Sequence, residues 1–482
     1  MTKVRVRFAP SPTGMMHLGN VRTALINFLF ARQKEGVFVL RIEDTDAQRM
    51  LDPEAKKILE DLTWLGFSYD EGPIVGGQHA PYFQSERISL YEQKRILFEQ
   101  KNLIYRCFCT EEELTKKRDR QIALKLPPRY DRTCLALSPQ EVTKLIENNT
   151  PFIWRFKLDH SKSVSINDLA HGTTTFELKN FSDFTIARQD GSFTFIFANF
   201  VDDWMMNISH VFRGEDHLSN TANQAALFEA LSLPLPTYWH MPILCNTEGK
   251  KLSKRDFGFS LRDLKDAGFL PEAIANYVGT IGGSFKTEIM SLEELTHAFN
   301  FDAISSAGRI TYDLEKLKWF NKSWINRYDA QKLTNLCRPI LENAYPSDCY
   351  STRNVTDQKL TELLQIIKPE LTTLNDCVDI LKFYFEEPSV TKTDIAAFIP
   401  ATSHYLIKTI INDSFESLDN PLEFATRTKN AAKEKQLPLK ELFWFLRLAI
   451  IGKVHGPGIH ELIEMIGEHE ARQRIDNALN LL

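Results

Sequence analysis

Val4, Val6 and Phe8 alternate with Arg5 and Arg7 at the head of this 482-residue sequence, a strand signal that the Pro/Gly-rich turn over residues 9–14 brings to an end. Leu18, Val21, Leu25, Phe28 and Leu29 then recur at helical spacing, and residues 37–42 (VFVLRI) form a short, continuous apolar run. Such a run suits a strand covered on both faces. Strand, helix, strand is the start of a parallel α/β sheet, and it narrows the fold more than any other segment does.

In open α/β sheets ligands sit beyond the carboxyl ends of the strands, so the chemistry is expected in the turns that follow them. After the first strand come Arg7, Ser11, Pro12, Thr13, Gly14, His17 and Gly19; after the second come Glu43, Asp44, Thr45 and Asp46. The pattern then breaks. Residues from roughly 89 to 194 mix cysteines, basic turns and short strands such as 152–158 and 173–178. Buried-strand character resumes at 209–212, followed by Arg213, Gly214, Glu215 and Asp216 and a helix from about Ser219. The middle therefore reads as a domain inserted between two halves of one nucleotide-binding fold. From about residue 330 helical periodicity dominates, as in 360–367 and Leu439–Ile451. The chain is too long for one core. The expected division is 1–88 and 195–237 for the two halves of the α/β domain, 89–194 for the insertion, 238–329 for a connecting region and 330–482 for a helical region.

No run of eighteen apolar residues is present, so no membrane span is expected. The first residues lack the apolar region and cleavage site of a signal peptide, which makes the cytoplasm the expected location. Seven cysteines, with Cys245, Cys337, Cys349 and Cys377 widely scattered, are no disulfide framework. A net charge of −5 speaks mildly against nucleic acid, which calls for a basic footprint. A large protein can still carry a local patch on an acidic average. Residues 427–453 offer one, with Arg427, Lys429, Lys433, Lys435, Lys440, Arg447 and Lys453 against Glu434 and Glu441. A solvated helix face is the alternative reading.

Two motifs carry the functional argument. S-P-T-G-M-M-H-L-G ahead of the first helix lets backbone approach a ligand closely and aims a helix N-terminus at phosphate, with His17 as a further donor. Residues 249–255 (GKKLSKR) supply Lys251 and Lys254 on a loop able to close over a triphosphate. The first resembles the HIGH signature and the second the KMSKS signature of class I aminoacyl-tRNA synthetases. Together with R-F-A-P-S-P-T-G, L-R-I-E-D-T-D, V-D-D-W and V-F-R-G-E-D-H-L, and with G-K-V-H-G-P-G-I-H-E-L-I-E-M-I-G near the end, they make the whole chain similar to the bacterial glutamyl-tRNA synthetases.

That resemblance implies a class I Rossmann-type domain with an inserted α+β acceptor-binding domain, a stem-contact region and a helical anticodon-binding third. It implies ATP, Mg²⁺, L-glutamate and tRNA-Glu as the reactants, a monomer, and catalysis by His17, Lys251 and Lys254. ATP would be held by Thr13, Gly14, His17, Gly19, Glu215, Lys251, Leu252, Ser253 and Lys254. Glutamate would be held by Arg7, Ala9, Ser11, Glu43, Phe195, Asn199 and Arg213, with Glu43 taking the ammonium and Arg213 a carboxylate. The types agree with the chemistry, since a dicarboxylate with one ammonium needs cationic partners and an anionic one, and arginine binds carboxylates bidentately.

One departure from the family pattern is Phe193-Thr194-Phe195, where the family has P-T-Y: Phe195 keeps the ring and loses a hydroxyl. Cys107, Cys109 and Cys134 resemble the zinc-binding subset of the family, with Tyr130 at the place of the fourth ligand. Buried reduced thiols are the competing reading. Glutaminyl-tRNA synthetase, the nearest rival, builds its anticodon region from β-barrels, which the helical third does not match. Small nucleotidyltransferases leave the R-G-E-D cluster unexplained, and a non-catalytic RNA-binding paralogue has no physical reason to keep His17, Lys251 and Lys254. Whether tRNA-Gln is a second acceptor is not legible in the sequence.

Overall fold

The computed structural model describes residues 3–12, 14–45, 52–253, 255–303, 308–345 and 355–482. They fall into two units, one made of Met1–Leu264 with Ile274–Leu314 and the other of Lys265–Ala273 with Glu315–Leu482.

The first unit begins with β1 (Arg5–Phe8), α1 (Leu18–Gln33), β2 (Val37–Leu40), α2 (Asp52–Leu65) and α3 (Ile88–Gln100). It continues through β3 (Ile104–Cys107), α4 (Glu111–Ala123), α5 (Pro139–Glu147), β4 (Ile153–Phe156), β5 (Ser163–Asp168), β6 (Gly172–Glu177) and β7 (Thr185–Ala187). Then come α6 (Phe195–Met205), β8 (His210–Gly214), α7 (Leu218–Ala230), β9 (Thr237–Met241), β10 (Leu244–Cys245) and, after further helices, β11 (Ile310–Thr311).

β1 and β2 pair in parallel, Arg5 opposite Val37, with α1 as the crossover. All four residues of β2 are buried, as a continuous apolar run between two helical layers requires. β8 and β9 pair in parallel, His210 opposite Thr237, with α7 as their crossover. The two pairs meet at Ser209, whose N–H donates to the Arg5 carbonyl at 3.0 Å and whose hydroxyl accepts from the Arg5 N–H at 2.9 Å. The carboxyl ends of β1, β2 and β8 therefore open on one side.

The stretch between the two parallel pairs builds an antiparallel sheet of order β3-β4-β7. Its hairpin β5–β6 does something different: Asp168, at the end of β5, pairs with Tyr238 of β9 and extends the β8–β9 sheet. Edge-to-face aromatics fill the space between, with Phe98 set against Phe156, Phe197 and Phe200 at centroid distances of 5.6–6.0 Å. Such pairs add about 0.5–1.5 kcal/mol each beyond the area they bury.

The second unit is helical throughout its described residues. Its helices start where sequence chemistry places starts: the side chains of Asp329, Thr356, Thr391 and Asn420 each accept a first-turn backbone N–H. Leu439–Ile451 ends on Gly452 in the left-handed region, φ +70°, where glycine alone has no Cβ penalty. No described helix is long and apolar enough to cross a membrane.

Candidate active site

A cavity of about 1000 Å³ lies at the carboxyl ends of β1, β2 and β8 and the start of α1. Arg7, Ala9, Ser11, Gly14, His17, Gly19, Glu43, Phe195, Asn199, Arg213, Lys251 and Leu252 all line it, from sequence positions as distant as 7 and 252. Glu215 and Ser253 do not. Glu215 accepts the Ile243 N–H at 3.5 Å, and Ser253 closes an exposed turn on Asp256 through two bonds of 2.9 Å. Thr13, Asp46 and Lys254 lie outside the described residues, as does Cys349.

One wall is a buried network of charge. Arg41, fully buried, donates to Asp203 at 2.8 Å and to Glu43 at 3.1 Å, and stands 3.4 Å from Asp202. Asp203 also takes Arg7 at 3.2 Å. Asp202 takes Arg87 at 2.6 Å, Gln84 at 2.8 Å and the Tyr91 hydroxyl at 2.9 Å. Burial raises the Glu43 carboxyl above its ordinary range, opposed by the Arg41 charge beside it. Asn199 donates to Glu43 and accepts from Gln224 at 3.0 Å, and Gln224 in turn accepts from Arg213 at 2.8 Å.

In this network Arg7, Arg41 and Arg87 are matched by Glu43, Asp202 and Asp203, and Arg213 is left over. Its Nη2 is held by Thr221 and Gln224, both neutral, while Nε and Nη1 are buried with no hydrogen-bond partner. Burial lowers it to about 10. An unpaired buried cation is costly unless an anion joins it. With Glu43 lining the same cavity, it makes a place for a molecule that carries both a carboxylate and an ammonium.

The other wall is built on α1. His17 is its N-cap: Nδ1 accepts the Asn20 N–H at 3.2 Å, and Asn20 Oδ1 accepts the His17 N–H at 3.2 Å. With Nδ1 used as an acceptor, the ring proton sits on Nε2, which makes His17 a donor. Burial holds the imidazole below its usual range, the Lys251 charge adds to this and Asp216 opposes it, so the neutral form prevails. Gly19 is required here because a Cβ would come within 2.9 Å of the His17 ring.

The basic loop is fixed at both ends. Lys251 bridges Cys245, and the Leu252 N–H donates to the Leu244 carbonyl at 2.9 Å. Beyond the loop, the Phe259 carbonyl accepts the Leu18 N–H at 3.0 Å, the Leu261 N–H donates to the Met16 carbonyl at 2.9 Å, and Phe259 stacks on His17 at 5.0 Å. The exposed ammonium of Lys251 pairs with Asp216 at 3.0 Å. The two sequence motifs thus share one frame, which aims an imidazole N–H, a helix N-terminus and a lysine into one space: groups suited to phosphate.

Sequence reasoning left out Arg41, Asp202, Asp203, Thr221 and Gln224 as parts of the site, and Arg22, a buried cation lining the cavity with no ion-pair partner among the described residues. The signal available was chemical: Asp202 and Asp203 stand in the apolar stretch FIFANFVDDWM and Arg41 in VFVLRI. Charges in such runs require buried partners.

Away from the cavity, the Cys107, Cys109 and Cys134 sulfurs lie within 4.8 Å of one another. The Tyr130 hydroxyl stands 3.3 Å from Cys107 Sγ and 3.8 Å from Cys109 Sγ, and Cys109 Sγ is 3.5 Å from Cys134 Sγ. The hydrogen bond from Cys134, with others from Tyr130 and Arg155, holds the Cys107 thiol down at about 4, so a thiolate is at hand. Tetrahedral zinc with bonds of ~2.3 Å to sulfur sets its sulfurs ~3.8 Å apart. The donor set fits such an ion.

The model of the catalytic domain of class I tRNA synthetases (E and Q) matches residues 3–319, and that of an anticodon binding domain matches residues 332–479. The chain is 35% identical to the glutamate–tRNA ligase of Finegoldia magna, covering 100% of both chains. It is 36% identical to that of Carboxydothermus hydrogenoformans, covering 99% of this chain and 100% of the relative. Among solved structures, the glutamate-tRNA synthetase of Elizabethkingia anophelis is similar, with a TM-score of 0.85 at 32% identity, covering 99% of this chain and 100% of that one.

Proposed function

We propose a residue-by-residue reading of this cavity for a chain that belongs to the class I glutamate–tRNA ligases. Its reaction is the ATP-dependent attachment of L-glutamate to tRNA, with Mg²⁺ travelling on the nucleotide as part of the substrate. Arg213 takes the side-chain carboxylate of glutamate through Nη1. Glu43 takes the ammonium, Arg7, Ala9 and Ser11 line the amino-acid end, and Asn199 and Phe195 close it. The observation that carries this reading is Arg213, buried, short of a carboxylate and lining the same cavity as Glu43.

ATP occupies the α1 side, along Gly14, His17, Gly19 and Leu252, with Thr13, Glu215 and Ser253 as its further contacts. The glutamate α-carboxylate attacks the α-phosphate in line, forming glutamyl-adenylate and releasing pyrophosphate. His17 Nε2–H, Lys251 and Lys254 stabilise the charge that develops there. The 2′-OH of the terminal adenosine then takes the acyl group and AMP leaves. No side chain becomes a covalent nucleophile, so catalysis rests on positioning and electrostatics.

The test is pyrophosphate exchange with tRNA present. Arg213→Ala raises KM for glutamate roughly 10- to 100-fold, the loss of charged hydrogen bonds, and leaves KM for ATP alone. Lys251→Ala lowers kcat by about 10²–10³ with an unchanged melting temperature, because its pairing is exposed. An Arg213→Ala enzyme with normal KM for glutamate would refute the assignment.

Two further parts of the reading concern RNA and metal. The segment 89–194 grips the acceptor end, 238–329 contacts the stem and the helical region 330–482 reads the anticodon, where unstacked loop bases are accessible to side chains. Arg427, Lys429, Lys433, Lys435, Lys440 and Lys453 are exposed there, as phosphate contacts require. Cys107, Cys109, Tyr130 and Cys134 hold one Zn²⁺ in a structural role. Metal analysis of the purified protein is expected to give one zinc per chain and none in Cys134→Ser; a metal-free wild type would end that proposal.

A further inference from the structure

Behind Arg213 runs a line of buried groups that neither pairs with another charge nor touches the cavity. Nη2 of Arg213 donates to Thr221 Oγ1 at 2.5 Å, Thr221 Oγ1 lies 2.7 Å from His240 Nε2, and His240 Nδ1 lies 2.6 Å from Asp168 Oδ2. Thr221, His240 and Asp168 are each at most 1% exposed. They come from three separate elements: α7, β9 and the end of β5.

Hydrogen-bond accounting gives this line a direction. Asp168 accepts the backbone N–H groups of Ala170 at 2.9 Å, His171 at 3.1 Å and His240 at 3.1 Å, the environment of an ionised carboxylate. The His240 Nδ1 facing it therefore carries the proton, and Nε2 is a bare acceptor. The Thr221 hydroxyl hydrogen goes to Nε2 at 2.7 Å in preference to the His217 carbonyl at 3.1 Å. The threonine oxygen then turns lone pairs toward Arg213. With Gln224 Oε1 as the second acceptor, both N–H groups of Nη2 are spoken for, and the guanidinium plane is fixed with Nε and Nη1 directed elsewhere.

We propose that Asp168, His240 and Thr221 are positioning residues that set the orientation of the Arg213 guanidinium and thereby the affinity for the carboxylate it binds. This rests on the reading of Arg213 given above. A flexible arginine would lose part of its binding free energy to side-chain ordering, whereas one already locked presents Nη1 in a fixed direction. The lock also ties the amino-acid site to Asp168, a residue contributed by the hairpin β5–β6.

The test compares Thr221→Val, Thr221→Ser and Asp168→Asn in the full chain with tRNA, by KM for glutamate, KM for ATP, kcat and melting temperature. Thr221→Val keeps the shape and removes the hydroxyl. It raises KM for glutamate about tenfold with KM for ATP unchanged, and Thr221→Ser, which restores the hydroxyl, returns it to within about twofold of wild type. Asp168→Asn places a donor before His240 and shifts KM for glutamate in the same direction; it decides the matter if Thr221→Val does not fold. Equal rises in both KM values, or no rescue by serine, would reduce these residues to packing and overturn the proposal. Arg213→Lys separates the two levels. A raised KM for glutamate there with a normal Thr221→Val overturns only the positioning role, and a normal KM in Arg213→Lys overturns the reading beneath it.

Discussion

In the proposed reading, Arg213 and Phe195 set opposite signs on the affinity for glutamate. Arg213 supplies an unpaired buried charge, while Phe195, in the cavity wall 5.6 Å from His217, supplies a ring without a hydroxyl. Phe195→Tyr is expected to lower KM for glutamate roughly 2- to 12-fold, the value of one neutral hydrogen bond; a raised KM would show that the ring is packed for its apolar edge. His217 is pushed down to about 4, chiefly by burial and then by the Arg213 charge. Its unfolded form binds a proton near pH 6.5 and its folded form does not, so the neutral ring contributes stability that is present above pH 6.5 and is lost as pH falls toward 4. Chemical denaturation between pH 7 and 4 is expected to show a shallower loss in His217→Gln than in wild type; parallel curves would contradict this. Little of the residue scale was open to sequence reasoning. The Arg41–Asp203 pair joins residues 162 positions apart, and periodicity reports only near neighbours.

At the scale of elements, α1 does two jobs through one residue. His17 caps the helix with Nδ1 and offers Nε2–H to the cavity, so its removal confounds stability with activity. His17→Ala loses both, with about 0.5–2 kcal/mol of stability from the lost cap. His17→Asn keeps a capping oxygen and no donor of the same reach. Its melting temperature is expected near wild type and its exchange rate as low as that of His17→Ala; recovery of activity in His17→Asn would remove the donor from the mechanism. Elements were the most legible level of the sequence. Residues 18–29 and Leu439–Ile451 announced their helices by spacing, and the apolar run at 37–42 announced a buried strand, realised as Val37–Leu40. The loop's frame was not legible, because the bonds that join Phe259 to Leu18 and Leu261 to Met16 are between backbone groups that any side chains would permit.

For the whole molecule, the family likeness supplied what local rules do not: which amino acid, which nucleic acid, and which region is the anticodon binding domain. The acidic average gave the wrong hint about nucleic acid, since charge relevant to phosphate is local and exposed lysines and one exposed arginine stand on Pro421–Glu434 and around Leu439–Ile451. Of the hairpin β5–β6 only the second strand was legible, as residues 173–178, and its place beside the β8–β9 sheet was not, because the link to that sheet is one pairing at Asp168. The most direct test of the account is ATP-dependent charging of purified tRNA-Glu and tRNA-Gln with labelled glutamate, glutamine serving as control. Glutamate attached to tRNA-Glu, whether or not tRNA-Gln is also charged, and no attachment of glutamine is the result expected from an unpaired Arg213 in the same cavity as Glu43. Attachment of glutamine, or of nothing, would contradict it.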